Sequence, residues 1–196
     1  MDTFLDICQA AGLALAVGIR PFLPALLIGV LAGADAGIDF DGTSFSFLEQ
    51  APFMLVMIGL LVLTVVAQRR LGPGGAMEGR PAALVLVVAV VVGALEFAGG
   101  LDAEGLTWWW GLPAGAVLAL FAYVTIDALL AGARRRLDAE AQLALPAYAE
   151  ATGMVVAALS VFVAPVSIAV AGFLAWLLAG ARRRAGEKYA GLRILR

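Results

Sequence analysis

Histidine is absent from this chain of 196 residues, and Cys8 is its one cysteine. The first absence removes the commonest general base and nitrogen ligand, and no Cys/His cluster stands in for it. Neither imidazole catalysis nor a zinc-type centre is expected, and no metal or cofactor is implied. The second excludes an intrachain disulfide. A Ser/His pair, an HExxH motif and a glycine-rich phosphate loop are missing too, so the expectation is a protein that is not an enzyme, with no catalytic residue to name. Asp127 followed by Gly132-Ala133-Arg134 is faintly like a lipid phosphotransferase motif, but the spacing is wrong and the further aspartates are lacking.

Charge is scarce as well. Only 14% of residues are Asp, Glu, Lys or Arg, while 63% are hydrophobic and mean hydropathy is +0.98. Soluble domains carry about 25% charged residues, so this is the composition of an integral membrane protein. The runs are continuous and rich in Leu, Val and Ala, where a barrel would need alternating segments of about ten residues. The expected fold class is therefore an all-α integral membrane bundle, one domain over 1–196. Three clean transmembrane helices are expected at 51–68, 81–98 and 106–130, two proline-broken segments at 5–34 and 151–181, and a basic tail at 182–196. The N-terminus has no basic n-region and carries Asp2 and Asp6, so it does not read as a cleaved signal peptide.

The net charge of −2 conceals a segregation of sign. Apart from Arg20, the basic residues fall in 69–80, 134–136 and 182–196, whereas 35–50 and 99–105 hold acids and no base. By the positive-inside rule the first set is cytoplasmic, C-terminus included, and the second lies outside. The three clean spans then alternate without conflict. Trp108, Trp109 and Trp110 fall at the outer edge as an interfacial belt. Arg outnumbers Lys and Ala and Gly abound, the composition of a GC-rich bacterium, so the expected location is a multi-pass place in a cell (inner) membrane.

Segment 151–181 has basic clusters at both ends and so needs an even number of crossings, which 31 residues cannot supply at about 20 per span. It is expected as a hairpin of short helices folded at Pro165, or a re-entrant loop, following a polar connection over 137–150. Segment 5–34, acidic or neutral at both ends and broken at Arg20-Pro21, is its counterpart entering from outside; a single kinked helix is the simpler alternative. Two broken elements entering from opposite faces are a transporter device, in which discontinuous helices meet at the midplane. No internal repeat accompanies it here.

Arg20 is the residue on which function is expected to turn. A charge near the bilayer centre costs about 2.5–3.5 kcal/mol on insertion scales. Pro21 breaks the helix, and the new helix beyond it points free N–H groups and its positive end at the break. With the guanidinium this makes an anion or carboxylate site within the membrane. The plainer alternative is that Arg20 pairs with a buried acid or caps open carbonyls. Glu96 and Asp127 are the candidate partners or proton-relay groups, and a hairpin entering from outside brings Arg20 closer to Glu96. At the second break, Pro165 with Ser160 and Ser167 offers a helix N-terminus and hydroxyls to a polar solute, although small-residue packing accounts for the serines equally. Glu150, with Thr152 and Gly153, reads as a helix entrance. The tail, with Lys188, Arg193 and Arg196 among Tyr189, Leu192, Ile194 and Leu195, is a stop-transfer and surface anchor, with no nucleic-acid partner.

Gly12, Gly18-Ile19-Arg20, Phe22, Pro24 and Gly29, then Glu150, Ser160 and Ala164-Pro165 before a basic stop, form a pattern that resembles a membrane-protein family of bacteria and plants, domain of unknown function 4126 (DUF4126). The likeness covers about half the chain, and it implies a membrane fold without an established activity. Near the end of the second hydrophobic segment, where that family carries acids, this chain has Ala67, Gln68 and Arg69. The functional expectation is a small channel or permease for an ion or polar solute, with its site near Arg20, Pro21, Glu96, Asp127, Ser160, Pro165 and Ser167. The alternative is a non-catalytic structural or assembly protein. The lipid bilayer is the first partner in either case, with a homo-oligomer or another membrane protein as the second.

Overall fold

The computed structural model describes residues 3–71 and 79–190. The glycine-rich turn over 72–78, the tail from 191 and the side chains of 184–190 lie outside the described residues. Within them the chain is helical, with seven α-helices and no strand: α1 (Thr3–Ile19), α2 (Phe22–Ala32), α3 (Ala51–Leu71), α4 (Gly79–Ala103), α5 (Gly111–Arg134), α6 (Ala139–Phe162) and α7 (Val166–Ala190). Five of these, α3 to α7, are long and apolar enough to cross a membrane. That is the make-up of a multi-pass integral membrane protein.

The two remaining helices form the centre. α1 packs on α4, α5, α6 and α7, and its residues from Gly12 to Ile19 are all buried. Such an interior place demands small residues. At Gly12 a Cβ would overlap the Ser160 hydroxyl, and at Gly18 it would lie 2.5 Å from the Ala119 carbonyl oxygen. This is helix contact through small residues, which membrane bundles use because no hydrophobic drive separates a helix from lipid tails. α2 leaves α1 across Arg20 and Pro21 and folds back. Ala16 of α1 and Pro24 of α2 both lie against Gly153 of α6, and Gln9 near the start of α1 donates to the carbonyl of Gly37, five residues past α2. Segment 5–34 is thus a hairpin with both ends at one end of the bundle. Pro21 and Pro24 sit where a helix start has orphan N–H groups in any case, so their missing donors cost little.

The loop over 33–50 tucks beneath that same end, with Phe40 and Leu48 fully buried. It carries Asp35, Asp39, Asp41 and Glu49, and defines the acidic end. Arg69 and Arg134 in the last turns of α3 and α5, with Arg183 well along α7, define the basic end. α3 is a peripheral helix with Leu55, Val56, Val62 and Leu63 exposed, packed against α2 and the turn over Ser46–Glu49. Trp108–Trp110 form a 3-10 turn ahead of α5, exposed at the acidic end.

The C-terminal third differs from expectation. The polar connection over 137–150 is helical: Asp138 caps α6 by accepting from the N–H of Ala141 at 2.8 Å, and Ala, Glu, Gln and Leu carry the helix onward despite Pro146. α6 is therefore 24 residues long and α7 is 25, so 151–181 belongs to two full-length helices and is neither a short hairpin nor a re-entrant loop. The turn at 163–165 lies at the acidic end, where Phe162 meets Gly37. Two helices long and apolar enough to cross fill this third of the chain, and the first begins twelve positions earlier than expected, at 139.

Candidate functional site

Arg20 ends α1. Its N–H bonds to the Ala16 carbonyl at 3.4 Å, and Pro21 then withholds the next donor. α2 opens with Phe22 and Leu23, and the Leu23 N–H donates to Glu150 Oε2 at 3.0 Å. Arg20 is 8% exposed and Glu150 6% exposed. Asp127 and Tyr123 share a cavity with Arg20, and Arg20 itself forms no ion pair among the described residues. Arg134 Nη2 lies 3.7 Å from Asp127 Oδ1. A cavity of about 10 Å³, the space of one water, is lined by Ile19, Arg20, Val85, Tyr123, Asp127 and Leu130. Tyr123 is fixed there by donating its hydroxyl to the Ala82 carbonyl at 3.1 Å.

This arrangement revises the expected chemistry. The start of α2 does form a carboxylate site, but Glu150 of the chain itself occupies it through the Leu23 N–H. Arg20 sits toward the basic end with Asp127, and not with Glu96. The hairpin is deeper than a short one: the 17 residues of α1 carry the turn about 25 Å from the acidic end at 1.5 Å per residue. Glu96 lies 11 residues along α4 from Val85 of the Arg20 cavity, or about 16 Å.

Glu96 is fully buried and neither carboxyl oxygen has a hydrogen-bond partner. An orphaned buried polar group costs about 1–3 kcal/mol. Glu96→Leu is therefore expected to raise the unfolding midpoint of the purified protein, by about 1–3 kcal/mol in stability. A loss of stability would mean that the carboxyl holds a bond in solution.

Ser160 and Ser167 are buried and meet Gly12, and Ser160 returns its hydroxyl to the Val156 carbonyl at 2.7 Å. They pack helices and line neither cavity described here. Pro165 is exposed at the acidic end. From Glu150 beside Arg20 to Phe162 at that end is 12 residues of α6, about 18 Å, so the two proline breaks do not meet at a midplane. Of the residues picked from sequence, the fold gathers Arg20, Pro21 and Asp127, and leaves Glu96, Ser160, Pro165 and Ser167 elsewhere. Glu150, read from sequence as a helix entrance, lies in the middle of α6 instead, and it is the entrance of α2 that its carboxylate meets.

At the acidic end lies a larger chamber of about 270 Å³, lined by Asp6, Gln9, Gly37, Asp39, Asp41 and Glu104 among others. Asp39 and Asp41 are tied by the Asp41 N–H donating to Asp39 Oδ1 at 2.6 Å. Glu49 accepts from the Phe40 N–H at 3.3 Å. Partial desolvation, and then the neighbouring Asp41 and Asp39, hold the Glu49 carboxyl above the usual carboxylate range against that bond. No family model, curated protein or solved structure matches the chain.

Proposed function

We propose that the chain is a small permease of a cell (inner) membrane, non-enzymatic, that passes a small cation or neutral polar solute with the turn of the α1–α2 hairpin as its inner gate. The observation that carries this reading is the buried Arg20 turn, tied at Leu23 to Glu150 and sharing a water-sized cavity with Asp127, at the far end of a hairpin whose near end borders the acidic chamber. An anion is disfavoured as the solute because Glu150 already fills the α2 start. By the positive-inside rule the basic end and the C-terminus are cytoplasmic, and the acidic chamber faces outward. The resemblance to domain of unknown function 4126 belongs to the same proposal. Its residues from the two stretches come together in pairs: Gly12 with Ser160, and the turn after Arg20 with Glu150.

The test is cation flux into liposomes holding the purified protein. Wild type is expected to conduct, and Arg20→Gln to change the rate about tenfold or more while remaining folded, because the gate loses its buried charge. Such a change equals about 1.4 kcal/mol in a barrier. Unchanged flux in a folded Arg20→Gln protein would remove the site assignment.

A structural or assembly role is the second reading, and the dry stretch from Leu13 to Val17, each residue at most 1% exposed, favours it. Under that reading no flux appears, and gentle detergent extraction brings down a stoichiometric membrane partner or a homo-oligomer.

A further inference from the structure

We propose that the acidic end binds one calcium-class divalent cation, held by Asp39, Asp41 and Glu49 with Asp6 facing the same chamber. Three observations carry it. One carboxylate oxygen from each of Asp39, Asp41 and Glu49 lies within 4.8 Å of the other two. Two oxygens that share a calcium ion sit about 2.3–2.6 Å from it, so they stand at most about 5 Å apart, a limit this cluster meets. The donors are all hard oxygens, the class that calcium takes and that the absence of His and of clustered Cys does not exclude.

The second observation is independent of that cluster. Asp6 projects from the first turn of α1 and lines the same chamber as Asp39 and Asp41. It is only 5% exposed, and its Oδ1 is buried without a hydrogen-bond partner. A carboxylate oxygen left this way beside a polar cavity costs free energy that a cation, or the water bound to it, would recover.

Thirdly, the loops of this end carry no Lys or Arg. Between Arg20 and Arg69, and again between Arg80 and Arg134, the sequence has no Lys or Arg, so nothing basic in the loops of this end neutralises Asp6, Asp39, Asp41, Glu49 and Glu104. The chamber of about 270 Å³ has room for the waters that complete a coordination shell of six to eight oxygens, as calcium takes in about that number. Binding here needs no transport. The bound ion would pin the 33–50 loop to the start of α1, joining elements that the Gln9 bond to Gly37 already brings together.

Equilibrium binding of radioactive calcium to the purified full-length protein tests this. The expected result is one calcium per chain with a Kd of about 0.1–1 mM, the range of extracellular calcium modules. The exposed pair change Asp39→Asn with Asp41→Asn is expected to weaken binding by about tenfold or more, and Asp6→Asn to weaken it severalfold. Calcium should also raise the unfolding midpoint of wild type and not of the pair variant. Because Asp39 and Asp41 are exposed, the pair variant should unfold like wild type in the absence of calcium. No saturable binding, or wild-type affinity in the folded pair variant, would overturn the site.

Discussion

Glu150→Leu is expected to destabilise the folded chain by about 1–3 kcal/mol, the usual cost of leaving a buried donor without its acceptor. The Leu23 N–H, 3.0 Å from Glu150 Oε2, becomes an orphan at the start of α2. Leucine fills the volume, so the loss reports electrostatics and hydrogen bonding and not a cavity. Glu150→Gln keeps an acceptor for Leu23 and should cost less than half as much. Combining Glu150→Leu with Arg20→Met should recover little of the loss, because the Leu23 N–H stays without its acceptor. Tryptophan fluorescence during denaturant unfolding in detergent measures all three. A Glu150→Leu protein as stable as wild type would show that this contact does not hold the hairpin turn.

Gly18→Leu is expected to be as damaging, for a steric reason. A Cβ there would stand 2.5 Å from the Ala119 carbonyl oxygen, 2.6 Å from its Cα and 2.8 Å from the Ala122 Cβ. Two of those three atoms are backbone of α5, which cannot rotate out of the way as a long side chain can. The cost should reach or pass the upper end of ordinary overpacking, about 3 kcal/mol. Gly59→Leu on peripheral α3 is the control. Nothing lies within 4 Å of a Cβ at that position, and its neighbours Val56 and Leu63 face outward. Its unfolding should match wild type within about 0.5 kcal/mol. Equal losses at the two positions would mean that α1 is not the packed centre.

The membrane-spanning helices were legible because their signal is local. A run such as Ala51 to Val66, apolar on every face, cannot fold in water and needs no partner to declare itself. The break at Arg20-Pro21 was legible for the same reason, since proline acts on its own turn. Segregation of basic from acidic segments showed which helix ends share an end of the bundle, and it forced an even number of crossings on the last third.

What tertiary structure decided was depth and partnership. Hydropathy undervalued 137–150, whose Glu140, Gln142 and Glu150 look like loop, while the Asp138 cap and a run of helix formers extend α6 through it. With α6 that long, Pro165 moved out to the acidic end and could not meet Arg20. The number of residues in α1 then placed Arg20 near the basic end, beside Asp127 and Glu150 instead of Glu96. Sequence by itself determined that a buried arginine is costly, because the cost of burial is a property of the residue. Which acids come near it depends on how far each helix runs before it turns. That distance is fixed only when α1 is packed, through Gly12 and Gly18, against helices remote in the chain.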